Sequence, residues 1–455
     1  MELNPGIFKA YDIRGIYGEE MDEGTARDIG RAFVRVLSGL REKPAGDLRI
    51  GLGRDMRLTA PRMAGGVRDG MTAEGAHVLD AGMVATEMLY HLVGSRELDG
   101  GAMVTASHNP KAYTGVKLVR EGALPLSDDA GIGEVKAAIE AGLGDAPGGG
   151  DCEEVDVWDE YRAHALGFID PAAVRPMKVV VDGGNGMGGP MIGPILEKLP
   201  LELEEMYFEP DGEFPDHEPN PLLEENRRMI MDRVRRAGAD LGIAWDGDAD
   251  RCFFIDGAGE FCDGDFVCAL LARQVLAKNP GATILYDPRS SRAVPDLVAA
   301  EGGRADLSRV GHAFFKARMR EEHAAFGGEV SGHYYFRDFW NADSGTIPAL
   351  LMLELLSREG RTIGDLMEEF RARYFISGEI NSEVADQAAK LEEIRERYSD
   401  GKISELDGVS VDYEDWHFNV RPSNTEPLLR LNLESLVSRA DMERRRDEVL
   451  ELIRG

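Results

Sequence analysis

Three times along the chain a short apolar run closes on a polar turn, and each time a second such run follows. The first runs are Arg49-Ile50-Gly51-Leu52-Gly53-Arg54-Asp55, Lys178-Val179-Val180-Val181-Asp182-Gly183 and Thr283-Ile284-Leu285-Tyr286-Asp287-Pro288. The second are Ala102 to Val104 before Ser107, Leu241 to Trp245 before Asp246, and Ala324 to Phe326 before Glu329. Helical text such as Leu222 to Ala237 and Val267 to Ala277 lies between strands. Alternating strands and helices specify α/β domains with parallel or mixed sheets, whose ligand loops sit at strand C-terminal ends. The expectation is a domain-scale threefold repeat, and a chain of 455 residues is long enough for several cores. The tract Gly142 to Gly150, rich in glycine, marks the first boundary, and after Tyr374 the pattern changes. This predicts three similar mixed α/β domains, at 1–150, 151–256 and 257–374, and a smaller C-terminal α+β domain at 375–455.

Charge excludes some partners. The 83 acidic residues against 52 basic ones leave a formal charge of −31, so the average surface repels nucleic acid and anionic lipid. An anionic substrate would therefore require arginines and lysines that reverse the field locally. The four cysteines, Cys152, Cys252, Cys262 and Cys268, form no C-x-x-C pair and read as reduced structural thiols. The N-terminus lacks a signal-peptide pattern, and no apolar run nears the ~20 residues of a membrane span. A cytoplasmic location without membrane partner is expected, and no obligate protein partner is inferred.

Asp246-Gly247-Asp248-Ala249-Asp250-Arg251 places three carboxylates at alternate positions, an arrangement that can converge on a hard cation such as Mg²⁺. An EF-hand is excluded by Arg251 and Gly257, where glycine and glutamate would be needed. Three carboxylates leave Mg²⁺ short of six ligands, and a phosphate oxygen could complete the set. Ser107, in Thr105-Ala106-Ser107-His108-Asn109-Pro110, could supply one if phosphorylated. An acyl-transfer role for Ser107 lacks the G-x-S-x-G elbow, and His108, as its neighbour in sequence, is expected to point away; a plain polar turn is the competing reading. Arg421-Pro422-Ser423-Asn424-Thr425-Glu426-Pro427 offers donors suited to phosphate, or simply a proline-bounded turn. Gly328-Glu329-Val330-Ser331-Gly332-His333 offers the mixed donors and acceptors that sugar hydroxyls need, or a self-stabilised turn. Gly184-Asn185-Gly186-Met187-Gly188-Gly189 matches G-x-G-x-x-G after a strand, with Glu209 at the distance of a ribose-binding acid. On that passage alone a nicotinamide-dependent dehydrogenase is an alternative, although it leaves the Asp246 loop unexplained.

Taken in order, Lys9-Ala10-Tyr11-Asp12-Ile13-Arg14-Gly15, Thr105 to Pro110, Gly115-Val116-Lys117, Asp246 to Arg251, Val310-Gly311-His312, Gly328 to His333 and Arg421 to Pro427 resemble the α-D-phosphohexomutase superfamily, most closely its phosphomannomutase/phosphoglucomutase branch. The resemblance spans nearly the whole chain. It implies reversible transfer of phosphate between C1 and C6 of a hexose phosphate through a phosphoserine enzyme and a hexose 1,6-bisphosphate, which also serves as activator. It implies Ser107 as the phosphoserine, with Ser107, Asp246, Asp248 and Asp250 as the Mg²⁺ ligands. Arg14, His108, Lys117 and Arg251 match the catalytic surroundings, and His312 and His333 are candidates for proton transfer. Tyr11, Arg289, Glu329 and Ser331 match substrate contacts, and Arg421, Ser423, Asn424 and Thr425 match a phosphate clamp. The Glu-x-Ser-Gly-His loop resembles that of enzymes accepting both mannose and glucose phosphates, and the fold also hosts phosphoglucosamine mutases. Val84-Ala85-Thr86-Glu87 lacks two prolines common in that segment, and Arg289 stands where lysine is common.

Overall fold

A computed structural model describes residues 3–127, 131–423 and 427–455. The chain forms two compact units, Met1–Phe261 with Ser331–Gly360, and Cys262–Val330 with Arg361–Gly455.

The first unit contains two sheets built to one plan. Strand Arg49–Arg54 runs parallel to His77–Met83 on one side and to Gly100–Val104 on the other, and Gly100–Val104 pairs antiparallel with Tyr113–Arg120. In the second sheet Met177–Asp182 takes the central place, parallel to Leu201–Met206 and Leu241–Trp245, and Leu241–Trp245 pairs antiparallel with Cys252–Asp256. The second unit repeats the parallel core, with Thr283–Tyr286 flanked by Arg304–Leu307 and Phe326–Gly328. Strands such as Leu241–Trp245 are buried along their whole length, which is why they read as unbroken apolar runs without alternation. The strand Asp151–Glu154, just past the glycine-rich tract, extends the first sheet beside His77–Met83.

Helices pack these sheets. Glu23–Arg41, capped by Asp22 accepting from the Thr25 amide, lays Ile29, Phe33 and Leu37 into a core shared with Met63 and Val67 of Ala60–Ala73 and with Ile50 and Leu52 of the sheet. In the C-terminal part every pairing is antiparallel, in the order Phe375–Ile376, Leu428–Ser435, Trp416–Pro422, Val409–Asp412, Lys402–Ser404. Ile394 of helix Gln387–Arg397 and Val449 of helix Arg439–Arg454 meet Phe418 and Leu431 of that sheet. The expected mixed α/β repeat and C-terminal α+β architecture are thus present.

One expected strand moves. Ala324 to Phe326 reads as a strand from apolarity, but the strand is Phe326–Gly328. The Ala324 amide instead closes the preceding helix by donating to the Met319 carbonyl at 3.0 Å, after His323 turns with φ 50°. Helix termination claims Ala324, while the Ala325 amide already donates to the Thr283 carbonyl of the neighbouring strand at 2.9 Å.

The first unit also brings a buried imidazole edge-on to a half-buried one. His91, on helix Thr86–Ser95, and His164, on helix Trp158–Leu166, have ring centroids 5.3 Å apart, and Trp340 stacks on His164 at 5.2 Å. His91 Nδ1 and His164 Nε2 are buried without a hydrogen-bond partner among the described residues. Burial, then the neighbouring His164, pushes His91 down to about 4, with Glu160 opposing and Arg96 reinforcing the shift. An unfolded histidine binds its proton below about 6.5. Folding stability therefore falls as pH drops from that value towards about 4. In His91→Gln, thermal melts between about pH 7 and 5 should lose less Tm than wild type across the same range; an unchanged slope would show that this pair does not titrate with unfolding.

Candidate active site

The buried strand Gly100–Val104 delivers its C-terminal loop to the metal-type loop of the second sheet. Arg57, itself buried, fixes that loop from within, donating to the carbonyls of Ser107 at 2.8 Å, Asn109 at 2.6 Å and Pro110 at 3.0 Å. The Ser107 amide donates to Thr105 Oγ1 at 2.8 Å, and Ser107 takes φ 48°, in the left-handed region that side chains rarely adopt. Ser107 is only 5% exposed, and its hydroxyl donates to Asp246 Oδ2 at 3.0 Å. Gly247 permits the approach: a Cβ there would lie 2.5 Å from the Ser107 carbonyl oxygen.

The expectation for His108 is corrected. Its Nδ1 lies 3.1 Å from Ser107 Oγ rather than pointing away. Adjacent side chains diverge in extended backbone, but the positive φ of Ser107 turns the chain and lets the two converge. Burial, followed by the charges of Arg251 and Arg14, holds the His108 imidazole well below its ordinary value and keeps it neutral. One hydroxyl proton serves either Asp246 or His108, not both.

Asp246, Asp248 and Asp250 occupy the turn between strands Leu241–Trp245 and Cys252–Asp256, with Ala249 at φ 60° reversing the chain. One oxygen from each lies within 4.8 Å of the others, and all three carboxylates are buried. Two cations partly balance them. Lys117 Nζ donates to Asp248 Oδ2 at 2.7 Å and to Asp250 Oδ2 at 2.6 Å, and Arg251 Nε to Asp246 Oδ2 at 2.9 Å. Burial alone would lower Lys117, but Asp248 and Asp250 outweigh it and hold the ammonium well above its usual value. Burial pushes Asp246 up, against Arg251. Three carboxylates against two cations leave one negative charge uncompensated, and Asp248 Oδ1 has no hydrogen-bond partner among the described residues. Such an oxygen set fits a hard divalent cation such as Mg²⁺.

The sequence did not point to Thr86. Its hydroxyl donates to Asp248 Oδ2 at 2.5 Å and its amide to the Asp248 carbonyl at 3.2 Å, so the proline-poor segment Val84 to Glu87 orients a metal-type ligand. Next to it, the buried Glu87 carboxylate accepts from the Thr346 amide at 3.1 Å and the Thr346 hydroxyl at 2.9 Å, fixing the start of helix Thr346–Glu359.

Other expected residues fall around this centre. Arg14 bridges Asp12 and the Asn109 side chain of the serine loop. His333 Nε2 lies 3.8 Å from Asp250 Oδ1, and Ser331 Oγ lies 3.3 Å from His333 Nδ1. Tyr11 is half-buried in the bend before strand Ile13–Ile16.

The second unit carries the remaining ones. Arg289 is held bidentate by Asp287, at 3.0 and 2.8 Å, and lies 3.5 Å from Glu329. Glu329 accepts from the Gly311 amide at 2.9 Å, directly before His312, which starts helix His312–Glu321. Arg421 donates to Glu379 at 3.0 Å, and Ser423 lies 3.4 Å from Arg430. Asn424 and Thr425 lie outside the described residues. Sequence reading missed Glu379 and Arg430; the strand register sets Arg430 opposite Arg421, and Glu379, just before strand Ile380–Glu383, pairs with both.

The glycine loop at 184–189 is not an open phosphate cradle. The amides of Gly183, Gly184, Asn185, Gly186 and Met187 donate respectively to Met206 O, Asp182 Oδ1, Tyr207 O, Gly183 O and Gly247 O. A pyrophosphate would find those donors already used. The glycines serve close packing, since a Cβ on Gly186 would meet the Gly247 carbonyl oxygen at 2.5 Å.

Models of the phosphoglucomutase/phosphomannomutase α/β/α domains I, II and III match residues 5–143, 159–259 and 263–374, and that of the C-terminal domain matches residues 379–452. The chain belongs to the phosphoglucomutase/phosphomannomutase family. A protein of Escherichia coli strain K12 named phosphomannomutase is 43% identical over 98% of each chain, and one of Xanthomonas campestris named for phosphohexose mutases is 43% identical over 98% of this chain and 99% of its own. A crystal structure of a family member from Burkholderia thailandensis superposes with a TM-score of 0.89 at 33% identity, covering 99% of this chain and 97% of that one. The repeated sheets and the Ser107–Asp246 contact are therefore set in this family's framework.

Isothermal titration with Mg²⁺ checks the site. Asp248→Asn, which removes a ligand charge, should weaken binding more than roughly tenfold, and Thr86→Val, which only frees Asp248 to reorient, by about tenfold or less. Equal affinities in both variants and wild type would place the ion elsewhere.

Proposed function

We propose that the protein is a phosphohexomutase acting on mannose and glucose phosphates, with Ser107 as the phosphoryl carrier. The observation that carries this is the Ser107 hydroxyl donating to the aspartate trio at 3.0 Å. The names of the full-length relatives favour mannose phosphate as a substrate, and phosphoglucosamine remains the alternative sugar.

In this reading Ser107 begins as its phosphate monoester. The O–P bond to Ser107 breaks as a hydroxyl of the hexose phosphate takes the phosphoryl group; the proton of that hydroxyl passes to an imidazole, His333 or His312, and the departing Ser107 oxygen takes up a proton to become the free hydroxyl. The resulting bisphosphate turns over and returns its other phosphate to Ser107, so that a sugar phosphate isomer leaves and the enzyme is again phosphorylated. Free hexose 1,6-bisphosphate activates by loading Ser107. Mg²⁺, held by Asp246, Asp248 and Asp250, would neutralise charge on the transferring group. Lys117 and Arg251 keep the trio's charge nearly balanced, so the buried loop tolerates both phosphorylated and free serine. Arg289, Arg421 and Ser423 bind phosphate that is not being transferred. A catalytic set made mostly of positioning and charge suits phosphoryl transfer.

Intact-mass spectrometry after incubation with glucose 1,6-bisphosphate should show one added phosphate on wild type and none on Ser107→Ala, and turnover of mannose 1-phosphate should fall by a factor on the order of 10³ or more in that variant. Full labelling of Ser107→Ala, or no turnover by wild type of mannose, glucose or glucosamine phosphates, would overturn the assignment.

A further inference from the structure

The arginine cluster of the second unit is built around a carboxylate. Arg421, on strand Trp416–Pro422, and Arg430, on strand Leu428–Ser435, are directly opposed in register, so their side chains leave one face of the sheet. Both converge on Glu379, Arg421 at 3.0 Å and Arg430 at 3.4 Å. Arg289 lies 3.9 Å away, but Asp287 and Glu329 already balance its charge. Glu379 is therefore the main counter-charge of two guanidiniums. Burial would raise its pKa, and Arg289, Arg421 and Arg430 overcome that and hold it ionised.

Two further observations point to a ligand. Nε of Arg421 and Nε of Arg430 are buried with no hydrogen-bond partner among the described residues, so the forks offer more donors than one carboxylate uses. A phosphate monoester brings three terminal oxygens and up to two charges, which matches the surplus. Glu379 can also yield its place: it is 31% exposed, and Gly378 before it has φ 69° with open space about its Cα.

We propose that Glu379 is a displaceable internal carboxylate that keeps Arg421 and Arg430 in position for a phosphate monoester and gives way to it, with Arg430 acting as a further phosphate ligand. The proposal rests on the phosphohexomutase reading for the identity of that monoester. With Glu379 in place the arginine pair keeps one positive charge in excess, and a phosphate dianion that displaces the carboxylate balances both, so a bound sugar phosphate competes against Glu379 and is released as the carboxylate returns. For an enzyme whose intermediate must let go of one phosphate and present the other, moderate affinity is an advantage.

The sign of one substitution separates this from a structural role. Isothermal titration of the full-length protein with inorganic phosphate should show Glu379→Gln binding about fivefold more tightly than wild type, and Arg430→Gln about fivefold more weakly. With mannose 1-phosphate, KM should fall in the first variant and rise in the second. If Glu379 merely braces the arginines, its removal leaves them misplaced, and Glu379→Gln binds phosphate equally or more weakly; that result overturns the proposal. Equal phosphate affinity in Arg430→Gln and wild type, with both melting at the same temperature, removes Arg430 from the clamp. Absence of turnover by wild type would sink the mutase reading while leaving the inorganic phosphate comparison to judge the exchange by itself.

Discussion

The structure turns on a hydrogen bond between the Ser107 hydroxyl and a buried carboxylate of the aspartate trio. Three carboxylates without solvent repel one another, and burying them is costly unless cations answer them. Lys117 from strand Tyr113–Arg120 and Arg251 from the trio's own loop supply two positive charges. That leaves a deficit of positive charge that a divalent ion can answer, with a serine-bound phosphate as a further oxygen ligand. Much of the first unit serves to keep this arrangement in register: Arg57 braces the serine loop through its carbonyls, Thr86 steadies Asp248, and Gly247 lets the two loops touch.

The second unit meets the opposite requirement. A chain with net charge −31 repels a phosphorylated sugar at long range, and the field must be reversed where the substrate binds. In the proposed reading Arg289, Arg421 and Arg430 do this locally, and Asp287, Glu329 and Glu379 pair with them so that the arginines remain ordered. Buried ions of both signs thus meet in each unit: three carboxylates with two cations in the first, and three arginines with three carboxylates in the second.

How much of this the sequence revealed depends on how local each interaction is. Asp246, Asp248 and Asp250 were legible because alternate positions in one turn converge without help from elsewhere. The repeated strand pattern was legible because strands buried on both faces must be apolar throughout. His108 was misjudged because its orientation follows from the positive φ of Ser107, which no residue type announces. Apolarity alone starts the strand at Ala324 because it does not distinguish the residue that ends a helix from the one, Ala325, that first bonds to the neighbouring strand. Thr86, Glu379 and Arg430 escaped notice because their partners lie far along the chain and depend on strand register or on a neighbouring domain's loop. The glycine pattern at 184–189 fits a dinucleotide motif by spacing, but the amides of Gly184, Asn185, Gly186 and Met187 are spent on internal hydrogen bonds.

The central claim is that a phosphate on Ser107 and the carboxylates of Asp246, Asp248 and Asp250 bind the same divalent ion. Electron–nuclear double resonance on the Mn²⁺-loaded protein tests it directly, using protein whose Ser107 has been phosphorylated with hexose 1,6-bisphosphate and confirmed by mass. A ³¹P hyperfine coupling that is absent from the unphosphorylated sample is the predicted result. Tightly bound Mn²⁺ with no phosphorus coupling in the fully phosphorylated protein would contradict it.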